Sequence, residues 1–272
     1  MSVQRSSEAI TPGGAGRRGR LLAVVRFTVL EAWRSPLPWL LLAAVACALA
    51  AAAFAASLAL TEGARFQAAL LGAGVRMAWV FIFAVYVIGS LAREINERGF
   101  EVALALELDR GTWLLGKLAG WLLPVIAATL LLFPLLAVVA SPAGAAAWCL
   151  SLAFELAIVV AAALFFTLSL GSVPAAAVLA AGFYLLARSI DALVLITSSS
   201  LLLAPGAWRD FADFAIGAMA WLLPALGRFA QGSWLADQPP AAPALALMAL
   251  QCVVYVALLW AATLVDFHRR DL

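Results

Sequence analysis

Apolar residues along this chain come in long unbroken runs, not at the spacing of an aqueous core. Six runs stand out, at about 37–60, 71–92, 118–140, 145–170, 174–204 and 243–265. A run of roughly 20 residues is long enough to cross ~30 Å of hydrocarbon as a helix. In lipid every backbone N–H and C=O must be paired internally, which leaves helices or a closed barrel. A barrel strand alternates apolar and polar residues; Leu118–Ala140 and Pro174–Ala187 do not alternate. The pattern therefore predicts an all-α, polytopic membrane protein with six transmembrane helices. Ser141–Gly144 and Gly171–Pro174 read as short turns between antiparallel spans.

The segments between the spans complete the picture. Residues 1–19 form a polar, basic tail with the composition of a disordered cytoplasmic segment. Residues 20–35 read as an amphipathic helix, with Leu21, Leu22, Val25, Val29, Ala32 and Trp33 on one face and Arg20, Arg26, Thr28, Glu31 and Arg34 on the rest. It suits a helix lying in the membrane interface; the alternative is the cytoplasmic start of the first span. Pro36 and Pro38 break the chain before the crossing. Residues 36–272 then form a single transmembrane domain.

The stretch Phe214–Ala230 is apolar but short, and carries Pro224 and Gly227. Six spans, without it, place both termini and the loop after the second span on one side. That side holds Arg5, Arg17, Arg18, Arg20, Arg26, Arg34, Arg93, Arg98, Arg110, Lys117, Arg269 and Arg270; the other holds Arg65, Arg76, Arg209 and Arg228. The positive-inside rule makes the rich side cytoplasmic. Residues 205–240 are then an external segment, re-entrant before the last span. The expected location is a bacterial cytoplasmic (inner) membrane, multi-pass, with cytoplasmic termini.

Composition agrees: of 272 residues 66% are hydrophobic and 12% charged, and the net charge of +2 gives no reason to expect a nucleic-acid partner. The first apolar run begins too far in, and is too long, to read as a secretory signal. Cys47, Cys149 and Cys252 each sit within an apolar run without ligand-like spacing, and read as small buried hydrophobes. The one histidine, His268, stands beside Arg269 in the terminal segment, so neither a metal site nor a Ser–His–Asp hydrolase is expected.

The densest charge is Arg93-Glu94-Ile95-Asn96-Glu97-Arg98-Gly99-Phe100-Glu101, followed by an apolar stretch and Asp109-Arg110-Gly111-Thr112-Trp113-Leu114-Leu115-Gly116-Lys117. Residues 93–117 are too polar to cross a bilayer and too apolar for a bare linker. One reading is a solvated face that holds topology. The other comes from a resemblance. Glu94, Glu97, Gly99, Glu101, Leu104, Leu106, Leu108, Arg110, Leu115, Gly116 and Lys117 follow a pattern similar to the cytoplasmic loop of exporter-class (type-2) ATP-binding-cassette permeases. Glu31–Pro36 and the basic Phe267–Leu272 resemble that family's ends, and within it the chain looks closest to permeases of copper-enzyme maturation and of drug or lipid export. Phe100 and Asp109 depart from the pattern, where Thr and Pro or Ser are common.

The resemblance implies that 93–117 is a coupling loop docking on a separate ATPase, with Arg93, Glu94, Glu97, Arg98, Gly99, Glu101, Arg110 and Lys117 as the coupling residues. It also implies two copies of that ATPase, a second permease (the same chain or a similar one), and export as the direction. ATP and Mg would be bound by the ATPase, with no cofactor in this chain and no enzyme activity of its own. Gly111–Lys117 matches Gly-x-x-x-x-Gly-Lys, but Leu118 stands where the Mg²⁺-binding Ser or Thr belongs and no strand precedes it.

Ionisable groups inside spans are expensive and point to function by default. Glu155 lies in the fourth span, and Arg188 and Asp191 lie three apart in the fifth. They either line a substrate path or neutralise one another, Arg188 with Asp191 and Glu155 joining. If they carry an ion gradient, the chain is a secondary transporter; a membrane anchor or assembly factor is the remaining alternative.

Overall fold

The computed structural model describes residues 17–58, 63–96, 110–198, 207–229, 231, 233–236 and 240–269. The described residues hold no strand. Helix α1 spans Arg17–Arg34, α2 Leu37–Leu58, α3 Gly63–Asn96, α4 Arg110–Val139, α5 Pro142–Leu170 and α6 Val173–Ser198. Then come α7 (Ala207–Leu222), a 3-10 turn (Leu226–Phe229), α8 (Ser233–Ala236) and α9 (Ala242–Arg269). The chain is an all-α, multi-pass membrane protein: α2, α3, α4, α5, α6 and α9 are the six helices long and apolar enough to cross a bilayer. The apolar part of α7, Asp213–Leu222, is too short for that.

The expected spans are recovered, with ends that differ. Helix α3 runs on to Asn96 and α4 already begins at Arg110. Arg93, Glu94 and Arg110–Lys117 therefore belong to the stems of two long helices, not to a loop. Residues 97–109, and with them Glu97, Arg98, Gly99 and Glu101, lie outside the described residues, as does 199–204, the end of the fifth expected span.

Helix α5 is the axis of the bundle. It packs against α3, α4, α6, α8 and α9, and its buried residues run all round it, including Trp148, Leu152, Leu156, Val160 and Leu164. Ser141 caps its start, accepting from the Gly144 N–H at 3.1 Å, with Pro142 in the first turn. Pro there loses no hydrogen bond, since the first N–H groups of a helix are orphans anyway. Gly171 ends the helix in the left-handed conformation at φ 63°, which a residue without Cβ adopts freely.

Helix α1 forms as expected, and only part of its apolar face packs on protein. Leu22 and Trp33 are exposed, while Thr28 and Ala32 are buried. The reason is the partner, α4, which presents Gly116 and Gly120. A Cβ on Gly120 would come within 2.6 Å of the Thr28 Cβ, and one on Gly116 within 2.8 Å of Val24 Cγ1. The two backbones approach closely because those positions are empty, the usual device for helix contact in lipid. The Thr28 hydroxyl, turned to a helix, donates to the Val24 carbonyl at 3.0 Å. Past Ser35–Pro36 the chain turns into α2, which packs chiefly on α3, while α4 carries Pro124 and Pro134. Between α2 and α4 an apolar cleft of about 310 Å³ opens, with Leu41 and Val45 on one side, Leu131 and Leu135 on the other, and Trp79 at its floor.

Gly120→Leu should lower the thermal unfolding temperature in detergent, since overpacking a tight contact costs ~1–3 kcal/mol. Gly182→Leu, where an added Cβ meets nothing within 4 Å, is the control. Equal shifts in the two variants would show that α1 is not held on α4 through this contact.

Candidate functional site: a buried charge network around Glu155

Glu155 is fully buried on the central helix, a position that an isolated carboxylate cannot hold cheaply. Its first partner is Arg76 of α3, 1% exposed, whose Nη1 donates to Glu155 Oε2 at 2.5 Å. The other end of that guanidinium donates from Nη2 to Ser151 Oγ at 2.9 Å and to the Trp148 carbonyl at 3.3 Å. Ser151 in turn donates to the Trp148 carbonyl at 2.8 Å. The guanidinium also lies over the Trp148 ring, 4.5 Å from its centroid, a favourable placement for a desolvated cation.

The second carboxylate oxygen faces α6. Tyr184 donates its hydroxyl to Glu155 Oε1 at 3.0 Å, and Arg188 Nη1 reaches the same oxygen at 3.2 Å and the Tyr184 hydroxyl at 3.2 Å. Tyr184 and Arg188 are four apart on one helix, so both side chains point across the same interface. Phe81 of α3 meets the Tyr184 ring edge-on at 5.8 Å. Three helices thus converge on one carboxylate, which is served by two guanidiniums and a phenol. Among the described residues Arg76 Nε has no hydrogen-bond partner.

The neutralisation expected between Arg188 and Asp191 is not the one formed. Arg188 turns inward to Glu155, while Asp191 pairs with Arg228 at 3.2 Å. Helix spacing allowed the i,i+3 pair, but the buried carboxylate demanded more donors than Arg76 alone supplies. The Asp191–Arg228 contact is open to solvent and is worth little by itself, yet it ties the 3-10 turn to the end of α6. Close by, α8 settles on α5 and α3. A Cβ on Gly144 would strike the Trp234 carbonyl, and Trp234 and Leu235 are buried. The segment after α7 thus covers one end of the bundle.

The structure also corrects the side given to Arg76. Counted from the sequence as a charge on the arginine-poor face, it is an interior residue. Its signal was available: position 76 lies inside the expected span 71–92, where an arginine needs a buried partner. Tyr184, Ser151 and Trp148 had no such signal, because each is ordinary in an apolar helix.

A second polar belt sits at one end of the bundle, where α3 ends and α4 begins. Lys117 is 1% exposed and stands 2.5 Å from Glu94 Oε2, a charge contact without an aligned hydrogen bond. The rings of Phe27 and Trp121 lie 5.4 and 5.7 Å from the same Nζ. Glu31 of α1 accepts from Ser90 at 2.6 Å and lies 3.8 Å from Arg93. Arg110 donates to the Phe267 carbonyl at 2.9 Å, and Trp113 stacks on the Phe267 ring at 6.1 Å. Of the described residues expected to grip a partner, Arg93 is exposed, Glu94 is mostly buried and ion-paired, Arg110 is tied to α9, and Lys117 is inside the bundle. These contacts also place the ends of α1, α3 and α9 and the start of α4 on one face.

Comparison with known proteins adds no identity: no protein-family model matches the chain, and no curated protein matches it significantly.

Glu155→Leu should be among the most damaging single changes, because it strands Arg76; breaking a buried pair costs ~3–5 kcal/mol. Arg76→Met with Glu155→Leu should recover part of that loss, which a thermal-unfolding double-mutant cycle reads directly. A double variant no more stable than Glu155→Leu alone would show that the pair does not act as a unit.

Proposed function

We propose that this chain is the permease subunit of an ATP-binding-cassette transporter, driven by ATP hydrolysed on a separate ATPase chain. The observation that carries the proposal is the connection between α3 and α4: a charged sequence of the type-2 permease pattern, held at both stems by polar contacts to the bundle. A connection that passes force must be rigidly rooted. Glu94–Lys117 bridges the stems of α3 and α4, and Arg110 anchors α4 to α9. In this reading Glu97, Arg98 and Glu101, with exposed Arg93, meet the partner, since charged contacts fix register and orientation across an interface. Lys117, being buried, serves in this reading as a root of the loop.

On this reading two copies of the permease, or this chain and a similar one, stand on two ATPases, and substrate leaves the cell between them. The positive-inside bias puts the face bearing α1 in the cytoplasm of a bacterial inner membrane. A second reading, an ion-driven secondary transporter, rests on the Arg76–Glu155–Arg188 network, since intramembrane charges mark transport paths as well as structure.

Affinity purification from native membranes should recover an ATP-binding chain, and Glu97→Lys with Glu101→Lys should lower that recovery at least severalfold while the permease itself stays folded. Full recovery with both reversed charges would remove the loop from the contact. Uptake or release by the purified chain alone in liposomes, without ATP, would favour the second reading.

A further inference from the structure

Among the described residues, one face of helix α3 is left partly open. Phe81, Ile82 and Val85 lie towards its middle, Tyr86 and Ser90 follow, and Arg93 stands in its last turn. With Pro36 and, on α2, Leu40 as the opposite wall, these residues line a groove of about 440 Å³. Its floor is open at Gly89, where an added Cβ would meet nothing within 4 Å.

The groove is sorted by polarity along its length. It is apolar at one end, bears hydroxyls next, and finishes in a cation. At 1.5 Å per residue, the distance from position 81 to position 93 is ~18 Å, close to half of a ~30 Å hydrocarbon core plus the start of the headgroup layer. That is the length and the polarity profile of one lipid standing in one leaflet. Arg93 is 62% exposed on its side chain, and Glu31, the carboxylate it meets among the described residues, lies 3.8 Å away and already accepts from Ser90 at 2.6 Å. Arg34, two residues before the groove wall at Pro36, adds a further exposed positive charge on this face, and basic clusters of this kind attract anionic headgroups.

We propose that the α2–α3 groove seats one anionic glycerophospholipid of the leaflet on the α1 side, its phosphate on Arg93 and an acyl chain along Val85 and Phe81. The assignment goes beyond the transport reading and does not depend on it, because the groove's occupant can be read without any ATPase.

The test uses the full chain, delipidated in detergent, incubated with phosphatidylglycerol or with phosphatidylcholine, and examined by native mass spectrometry for lipid retained per chain. One phosphatidylglycerol should be retained in preference to phosphatidylcholine. Arg93→Glu should lower retention ~10-fold or more, as expected for a lost charge-assisted hydrogen bond. Gly89→Phe, which fills the floor and leaves the charge, should abolish retention, and Gly89→Ala should keep it. Gly89→Phe should keep the wild-type unfolding temperature without lipid, separating a filled groove from an unfolded chain. Equal retention of the two lipids, or unchanged retention in Arg93→Glu and Gly89→Phe, overturns the assignment. So does efficient Val85→Cys cross-linking between two copies in membranes, which would give the face to a second chain.

Discussion

The ion pair between Arg76 and Glu155 is the constraint on which this bundle turns. Helices in lipid gain nothing from hydrophobic transfer when they meet, since the surrounding tails are as apolar as leucine. Association rests on close packing and on the few directional contacts available. Helix α5 is apolar nearly all round, so its packing alone leaves its rotation and height weakly defined. One carboxylate with Arg76 on one side and Tyr184 and Arg188 on the other defines both. A slide of α5 by one turn would separate Glu155 from donors on two helices at once. The pair is weak evidence for stability in itself, because desolvating both charges offsets much of their attraction. Its use is in fixing the register of α3, α5 and α6.

The belt around Glu94 and Lys117 follows the same logic by different means. Glu94–Lys117, Glu31–Ser90 and Arg110–Phe267 join α3 to α4, α1 to α3 and α4 to α9. None of these partners is adjacent in sequence, so together they close the face around the point where the α3–α4 connection leaves. The Glu155 network holds the middle of the central helix, and this belt holds the end from which the connection leaves.

Much of this architecture was legible in the sequence because lipid makes the rules strict. Run length gave six spans, and the turns at 141–144 and 171–174 were marked by Ser, Pro and Gly. What escaped were choices between equivalent helix faces. Which side of α1 packs on protein was not legible, because Gly116 and Gly120, ninety residues on, decide it. Arg188 meets Glu155 as expected, but Asp191 leaves its helix neighbour for Arg228, thirty-seven residues on, which spacing along one helix cannot show. Lys117 looked like a surface cation because its rings, Phe27 and Trp121, come from two different segments. In each case the missing information was a contact between distant parts of the chain, which periodicity cannot carry.

The packing also divides the bundle in a way that bears on the proposed transport. Helix α1 sits on α4 through Gly116 and Gly120, and α2 sits on α3. The two pairs part at Ser35–Pro36 and at the Pro124 region of α4, and the apolar cleft floored by Trp79 lies between them. The 97–109 connection joins one pair to the other, and Glu94–Lys117 bridges them at its root. The α1–α4 contact is tightened by its glycines, whereas the cleft between the pairs is loosely filled. On the proposed transport reading, a load carried through the connection would meet least resistance at that cleft.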